Sequence, residues 1–178
     1  MRRFLVLTII SLGFLFPAIP PLSVSAQSHS VLVGYGFGVF SDGRITGHIE
    51  EGRYDFLNFA YQYEKSLNQV LGFVIEPFAS YTIKPKDGVD AGLTLLLKYK
   101  FHTKEGNGFF LTLGGGSAYT SINFKEQDTH LLFIIHAGVG YKWRNYFIES
   151  RFKHYSNADT AHPNRSINSN IVMVGMVF

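Results

Sequence analysis

From Ser30 to Phe40 the chain reads SVLVGYGFGVF, so that Val33, Tyr35, Phe37 and Val39 alternate with Gly34, Gly36 and Gly38. Successive residues of a β-strand project to opposite faces. One face of this segment is therefore large and apolar, and the other is bare across its three central positions. A sheet with those faces must curve tightly around its glycine side and present its other side to an apolar medium. A narrow closed barrel in a membrane meets both conditions. Few other folds do.

Period-two segments recur at about 30–40, 52–64, 70–83, 88–101, 108–119, 130–142, 146–156 and 166–178. Most are longer than the five or six residues of an ordinary globular strand. They reach the roughly 9–11 residues that cross a bilayer at a tilt. In the seventh, Ile148, Ser150, Phe152, His154 and Ser156 share one face, and Glu149, Arg151 and Lys153 share the other. Three charges on one face suit a polar lumen, which makes the His154 face the lipid-facing one. In the second segment Tyr54, Phe56, Asn58 and Ala60 alternate less cleanly with Asp55, Leu57, Phe59 and Tyr61. The connections at about 65–69, 102–107 and 143–145 are short, and three of the four on the opposite side are longer. Outer-membrane barrels have short periplasmic turns and longer extracellular loops. The expected fold is all-β: an eight-stranded antiparallel transmembrane β-barrel of the outer membrane. The competing reading is a soluble barrel or sandwich exported to the periplasm.

The N-terminus supports export. Arg2 and Arg3 precede an apolar run from Phe4 to Phe16, then prolines and small residues ending in Val24-Ser-Ala26. The run is too short for a membrane helix of about 20 residues, so residues 1–26 are expected to be a cleaved signal peptide. Residues 27–178 then form one barrel domain, and the chain reaches the outer membrane of a Gram-negative cell. Loss of Arg2 and Arg3 lowers the formal charge from +3 to +1, which is no nucleic-acid signature. There is no cysteine, which excludes a lipoprotein anchor, disulfides and thiolate chemistry. The terminal Phe178 ends an alternating strand, as in barrels that present a terminal aromatic to the barrel assembly machinery.

Between the last two segments lies HYSNADTAHPNRSINSN, residues 154–170, a polar stretch between strands built for lipid. His154 and Ser156 share a face, and a histidine beside a serine in lipid is costly unless paired. A serine activated by a histidine base is one use of such a pair. The spacing alone is a weak signal and fits interfacial hydrogen bonding better.

The wider stretch RFKHYSNADTAHPNRSI resembles the C-terminal signature of the lipid A 3-O-deacylase (PagL) family. That family's pattern is His-x-Ser-Asn-Ala, then Pro-Asn, then a glutamate four residues after that asparagine. His154, Ser156, Asn157, Ala158, Pro163 and Asn164 match. The resemblance implies an eight-stranded outer-membrane esterase that acts on the 3-linked acyl ester of lipid A among outer-membrane lipids and lipopolysaccharide. It implies Ser156 as nucleophile and His154 as general base, with no cofactor and no metal. Asn157 and the amides of Ala158 and Asp159 would stabilise the oxyanion, with Asn164 supporting the loop. The glutamate position is Asn168, and Ser166 replaces the usual glycine two before it. By parity Asn168 faces outward with Val172, Val174, Met176 and Phe178, beside His154. An asparagine can orient a histidine without offsetting its charge. Asp159, three residues after Ser156 in the loop, is a candidate substitute acid if the loop folds back, and otherwise a solvated carboxylate; Glu149 is rejected because it faces inward. Two further readings remain: a non-catalytic barrel of the same scaffold that binds lipopolysaccharide, and a small structural or adhesive OmpX-type barrel.

Two weaker signals are set aside. His130 and His136 lack a third metal ligand, and GGGSA at Gly114–Ala118 lacks the lysine and helix of a phosphate loop.

Overall fold

The computed structural model describes residues 27–40, 48–101 and 107–178; the expected signal peptide, 1–26, lies outside them. The strands are β1 (Gln27–Phe40), β2 (His48–Ile49), β3 (Gly52–Arg53), β4 (Asp55–Ser66), β5 (Leu71–Lys84), β6 (Gly88–Lys100), β7 (Gly108–Thr120), β8 (Leu131–Trp143), β9 (Tyr146–Ser156) and β10 (Ile167–Val177). Eight of them close into a barrel in the order β1-β10-β9-β8-β7-β6-β5-β4, and β2 and β3 form a small separate hairpin. Every neighbouring pair in the wall is antiparallel, including the closing pair β1–β10. Closure satisfies each strand's main-chain donors and acceptors, which is the condition for a sheet to cross hydrocarbon.

The outer surface is apolar from strand to strand: Val33, Phe59, Leu93, Leu113, Ile135, Ile148 and Val174 all point outward and are exposed. Rings collect at both rims, with Trp143, Tyr146, Tyr99 and Phe178 at the end bearing the short turns, and Tyr119, Tyr81 and Phe40 at the end bearing the loops. Such girdles mark the two membrane interfaces, and the short-turn end is the periplasmic one.

Glycine and phenylalanine meet inside. Gly36 pairs across the ladder with Phe56, Gly140 with Phe110 and Gly175 with Phe147. Each ring lies on its glycine so closely that a Cβ there would come 2.1 Å from Phe56 Cζ and 2.2 Å from the Cζ of Phe110 or Phe147. The glycines thus let large rings fill a narrow lumen. At mid-barrel Arg151 donates to Glu76 Oε1 at 2.6 Å and to Glu149 Oε2 at 2.8 Å, with both acids and the guanidinium buried. Gln62 Nε2 and Thr112 Oγ1 donate to the same carboxylates, at 2.6 Å to Glu76 and 2.5 Å to Glu149. The charges of this cluster are therefore paired, as burial demands. Towards the loop end an apolar cap of Tyr54, Ile122, Phe124, Leu132 and Ile167 closes the lumen.

β1 departs from simple alternation. Gly38 pairs with Ser169 and Phe40 with Asn168, so a bulge falls between them. Val39 is the extra residue, and it is Phe40 that continues the outward face of Val33, Tyr35 and Phe37.

Candidate active site

The register of the last three strands places the polar stretch. His154 on β9 lies directly opposite Asn168 on β10, and Asn168 lies opposite Phe40 on β1. On its other side His154 faces Ile135 of β8, and Ser156 faces Phe133. This outward row sits on the lipid-facing wall at the loop end. Glu149, Arg151 and Lys153 point into the lumen from the same strand and are buried. The wall itself separates Glu149 from the histidine.

His154 Nδ1 is 2.7 Å from Asn168 Oδ1. Asn168 Nδ2 donates to the main-chain carbonyl of Phe40 at 3.3 Å. That second bond decides the first. A carbonyl accepts only from the amide's nitrogen, so the asparagine must turn its oxygen to the imidazole. Nδ1 then carries the proton and donates it to Oδ1, which leaves Nε2 as the basic nitrogen. The bulge in β1 supplies the carbonyl that sets this orientation. The Ser156 hydroxyl makes no hydrogen bond among the described residues. Its Oγ is free to rotate, and in unliganded sites the nucleophile–base contact is often loose.

The loop after β9 is organised by Asn157, which is fully buried. Its side-chain nitrogen donates to the carbonyls of Gln127 at 2.8 Å, Ala161 at 3.0 Å and Pro163 at 3.0 Å. Its Oδ1 accepts from the Asp159 amide at 2.9 Å, and its own amide donates to Asn164 Oδ1 at 3.1 Å. Asn164 Nδ2 in turn holds Asp159 Oδ1 at 2.8 Å. The Asp159 carboxylate is thus engaged by Asn164, while His154 is engaged by Asn168. Ala158 and Asp159 both adopt left-handed backbone conformations, with φ of 52° and 62°, and the Ala158 amide has no acceptor among the described residues.

A neighbouring loop, residues 121–130, clamps this one. Besides the Gln127 carbonyl, the Arg165 amide donates to Glu126 O at 2.8 Å, and Gln127 Nε2 donates to Arg165 O. Glu126 also receives the Glu50 amide, and Arg165 pairs with Glu50 at 2.6 Å. Sequence reasoning did not single out Phe40, Glu126 or Gln127. Their contributions come from distant segments, through main-chain carbonyls and, for Glu126 and Gln127, through side chains as well, and no local pattern announces them.

The set-aside histidines stay apart. His130 Nδ1 bonds Thr120 O at 2.8 Å in the loop, and His136 is buried inside the barrel. Among the described residues no group of three metal-ligating side chains comes together.

A closed eight-stranded wall with an apolar exterior and aromatic rims defines the class: a small outer-membrane β-barrel. Solved barrels agree. The crystal structure of the outer membrane enzyme PagL matches with a TM-score of 0.64 at 20% identity, covering 85% of this chain and 99% of that one. Neisserial surface protein A (NspA) matches at 0.60 and 11% identity, covering 87% of this chain and 98% of that one. The attachment invasion locus protein Ail of Yersinia pestis matches at 0.53 and 14% identity, covering 85% and 99%. These likenesses show the fold. No curated protein matches in sequence. The profile of the lipid A 3-O-deacylase (PagL) family matches residues 29–177, and the chain belongs to that family.

Proposed function

We propose that this barrel is a serine esterase that hydrolyses the 3-linked acyl ester of lipid A in the outer leaflet. The observation that carries the reading is the His154–Asn168 hydrogen bond at 2.7 Å, two residues from Ser156 on the lipid-facing wall. Ser156 Oγ attacks the acyl carbonyl while His154 Nε2 takes its proton. The negative charge that forms on the carbonyl oxygen meets the unpaired Ala158 amide. Asn157 keeps that amide in place through the loop, since its own side-chain donors and the Asp159 amide are already used. His154 then returns the proton to the departing glucosamine oxygen. Water hydrolyses the acyl-serine with the same base, releasing a fatty acid and restoring Ser156. Asn168 fixes the imidazole's tautomer and direction without adding charge. The exposed terminal ring of Phe178 is the part we assign to recognition by the barrel assembly machinery.

A second reading, a barrel that keeps the family's scaffold and binds lipopolysaccharide without cleaving it, is favoured by the missing carboxylate at Asn168. Mass spectrometry of lipid A from cells expressing the chain separates the two. Loss of the 3-linked acyl chain, abolished by Ser156→Ala, supports the esterase. Unaltered lipid A beside a folded outer-membrane barrel supports the binding protein.

A further inference from the structure

At the periplasmic mouth, far from the row of His154 and Ser156, the lumen opens into a cavity of about 310 Å³. That is near the lower end of the roughly 300–1,000 Å³ that small-molecule sites occupy. Its charged lining is Lys98, Lys100, Lys142 and Glu64, and Asn107 adds an amide at the rim. Lys98 is held firmly: its ammonium is 3.1 Å from Glu64 Oε2 and lies over the rings of Phe110 at 4.5 Å and Phe147 at 5.0 Å. Lys100 pairs with the other oxygen of the same carboxylate. Lys142 faces Lys98, Lys100 and Glu64 and forms no ion pair among the described residues.

Among the described residues, three ammonium groups therefore face one carboxylate at this mouth. Nothing in folding requires that surplus. Lys98 and Lys100 already occupy both oxygens of Glu64, and the added cation of Lys142 repels them. Walls of one sign in a concave, weakly polarisable setting concentrate the field on whatever counter-ion enters. The floor is aromatic, formed by Phe110, the ring that lies on Gly140. We infer that this mouth is a binding site for a small organic dianion from the periplasm, a phosphate monoester or a dicarboxylate. The two negative charges offset the two uncompensated ammonium groups, and the organic part rests on the phenyl floor. The inference does not depend on the esterase reading.

Isothermal titration of the folded protein in a maltoside detergent, free of phosphate, tests it with phenyl phosphate and succinate as probes. Saturable binding of at least one probe, weakened by about tenfold or more in Lys142→Gln, is expected, since each lost contact is a charge-assisted one. Binding of phenyl phosphate alone assigns phosphate monoesters; binding of succinate alone assigns dicarboxylates. Ser156→Ala should bind as the wild type does, which separates this site from the acyl site. Should Lys142→Gln fail to fold, Lys100→Gln at the rim reads the same loss. No saturable binding of either probe, or equal affinity in wild type and a folded lysine variant, overturns the inference.

Discussion

Replacing Asn168 by glutamate tests the least usual element of the proposed site. In a serine-protease triad, an asparagine in the acid's place costs about 10⁴-fold in turnover, largely because it imposes the wrong tautomer. Here the Phe40 carbonyl holds the amide so that Oδ1 faces His154, and the tautomer is the productive one. What remains missing is charge. A charge-assisted hydrogen bond exceeds a neutral one by about 1–2 kcal/mol, and the imidazolium exists only as the serine loses its proton. That difference corresponds to about 5- to 30-fold in rate. Asn168→Glu should therefore speed deacylation by about tenfold, not by the 10⁴ that the protease precedent suggests. The added charge lies at the rim, where lipid-facing charge costs about 0–1 kcal/mol. Asn168→Leu should do the reverse. It leaves Nδ1 without an acceptor and frees the ring, with a loss of about tenfold or more. The assay is a time course of acyl release from lipid A in mixed micelles, read by mass spectrometry on purified folded variants. Full activity in Asn168→Leu would refute the orienting role. An unaccelerated Asn168→Glu together with an inactive Asp159→Ala would place the third member at Asp159 instead.

Other expectations follow from the same geometry. Ser156→Ala and His154→Ala should each abolish acyl release, and the double variant should be little worse than either, because nucleophile and base act as a unit; a time course on the three variants checks this. Asn157→Ala removes the donor shared by three carbonyls and the acceptor for Asp159, so activity should vanish while the barrel still shifts in gel mobility on boiling. Arg151→Ala strands two buried carboxylates and should destabilise the barrel by about 3–5 kcal/mol in urea unfolding, with Arg151→Ala/Glu76→Gln/Glu149→Gln recovering part of the loss. Gly36→Val drives a side chain into the Phe56 ring and should lower folding yield sharply, and Gly36→Val/Phe56→Ala should restore some of it.

Much of this was legible because the lipid-facing wall leaves a strict period-two record. The charges at Glu149, Arg151 and Lys153 alone placed His154 and Ser156 outside, and the parity of Val172, Val174 and Met176 placed Asn168 beside them. Parity fails where the ladder slips. The bulge in β1 moved Phe40, not Val39, onto the outer face, and SVLVGYGFGVF contains nothing that announces it. The hairpin of β2 and β3 was equally silent, being only two residues long on each side. Asn157 read as an oxyanion donor. Its place at the centre of the loop depends on the Gln127 carbonyl, thirty positions away in sequence, and such a partner leaves no local pattern. The same holds for Glu76, which meets Arg151 across the lumen.

The outward direction of His154, Ser156 and Asn168 also fixes the dimensionality of the proposed chemistry. A reacting group reaches them by lateral diffusion within the leaflet, never by passing through the barrel or crossing bulk water. The relevant concentration is then a mole fraction of the surface, and diluting the membrane with inert lipid should slow turnover at constant total substrate. Packing of neighbouring molecules, set by temperature and by divalent ions that crosslink their head groups, becomes a control on rate that no change in the protein is needed to exert.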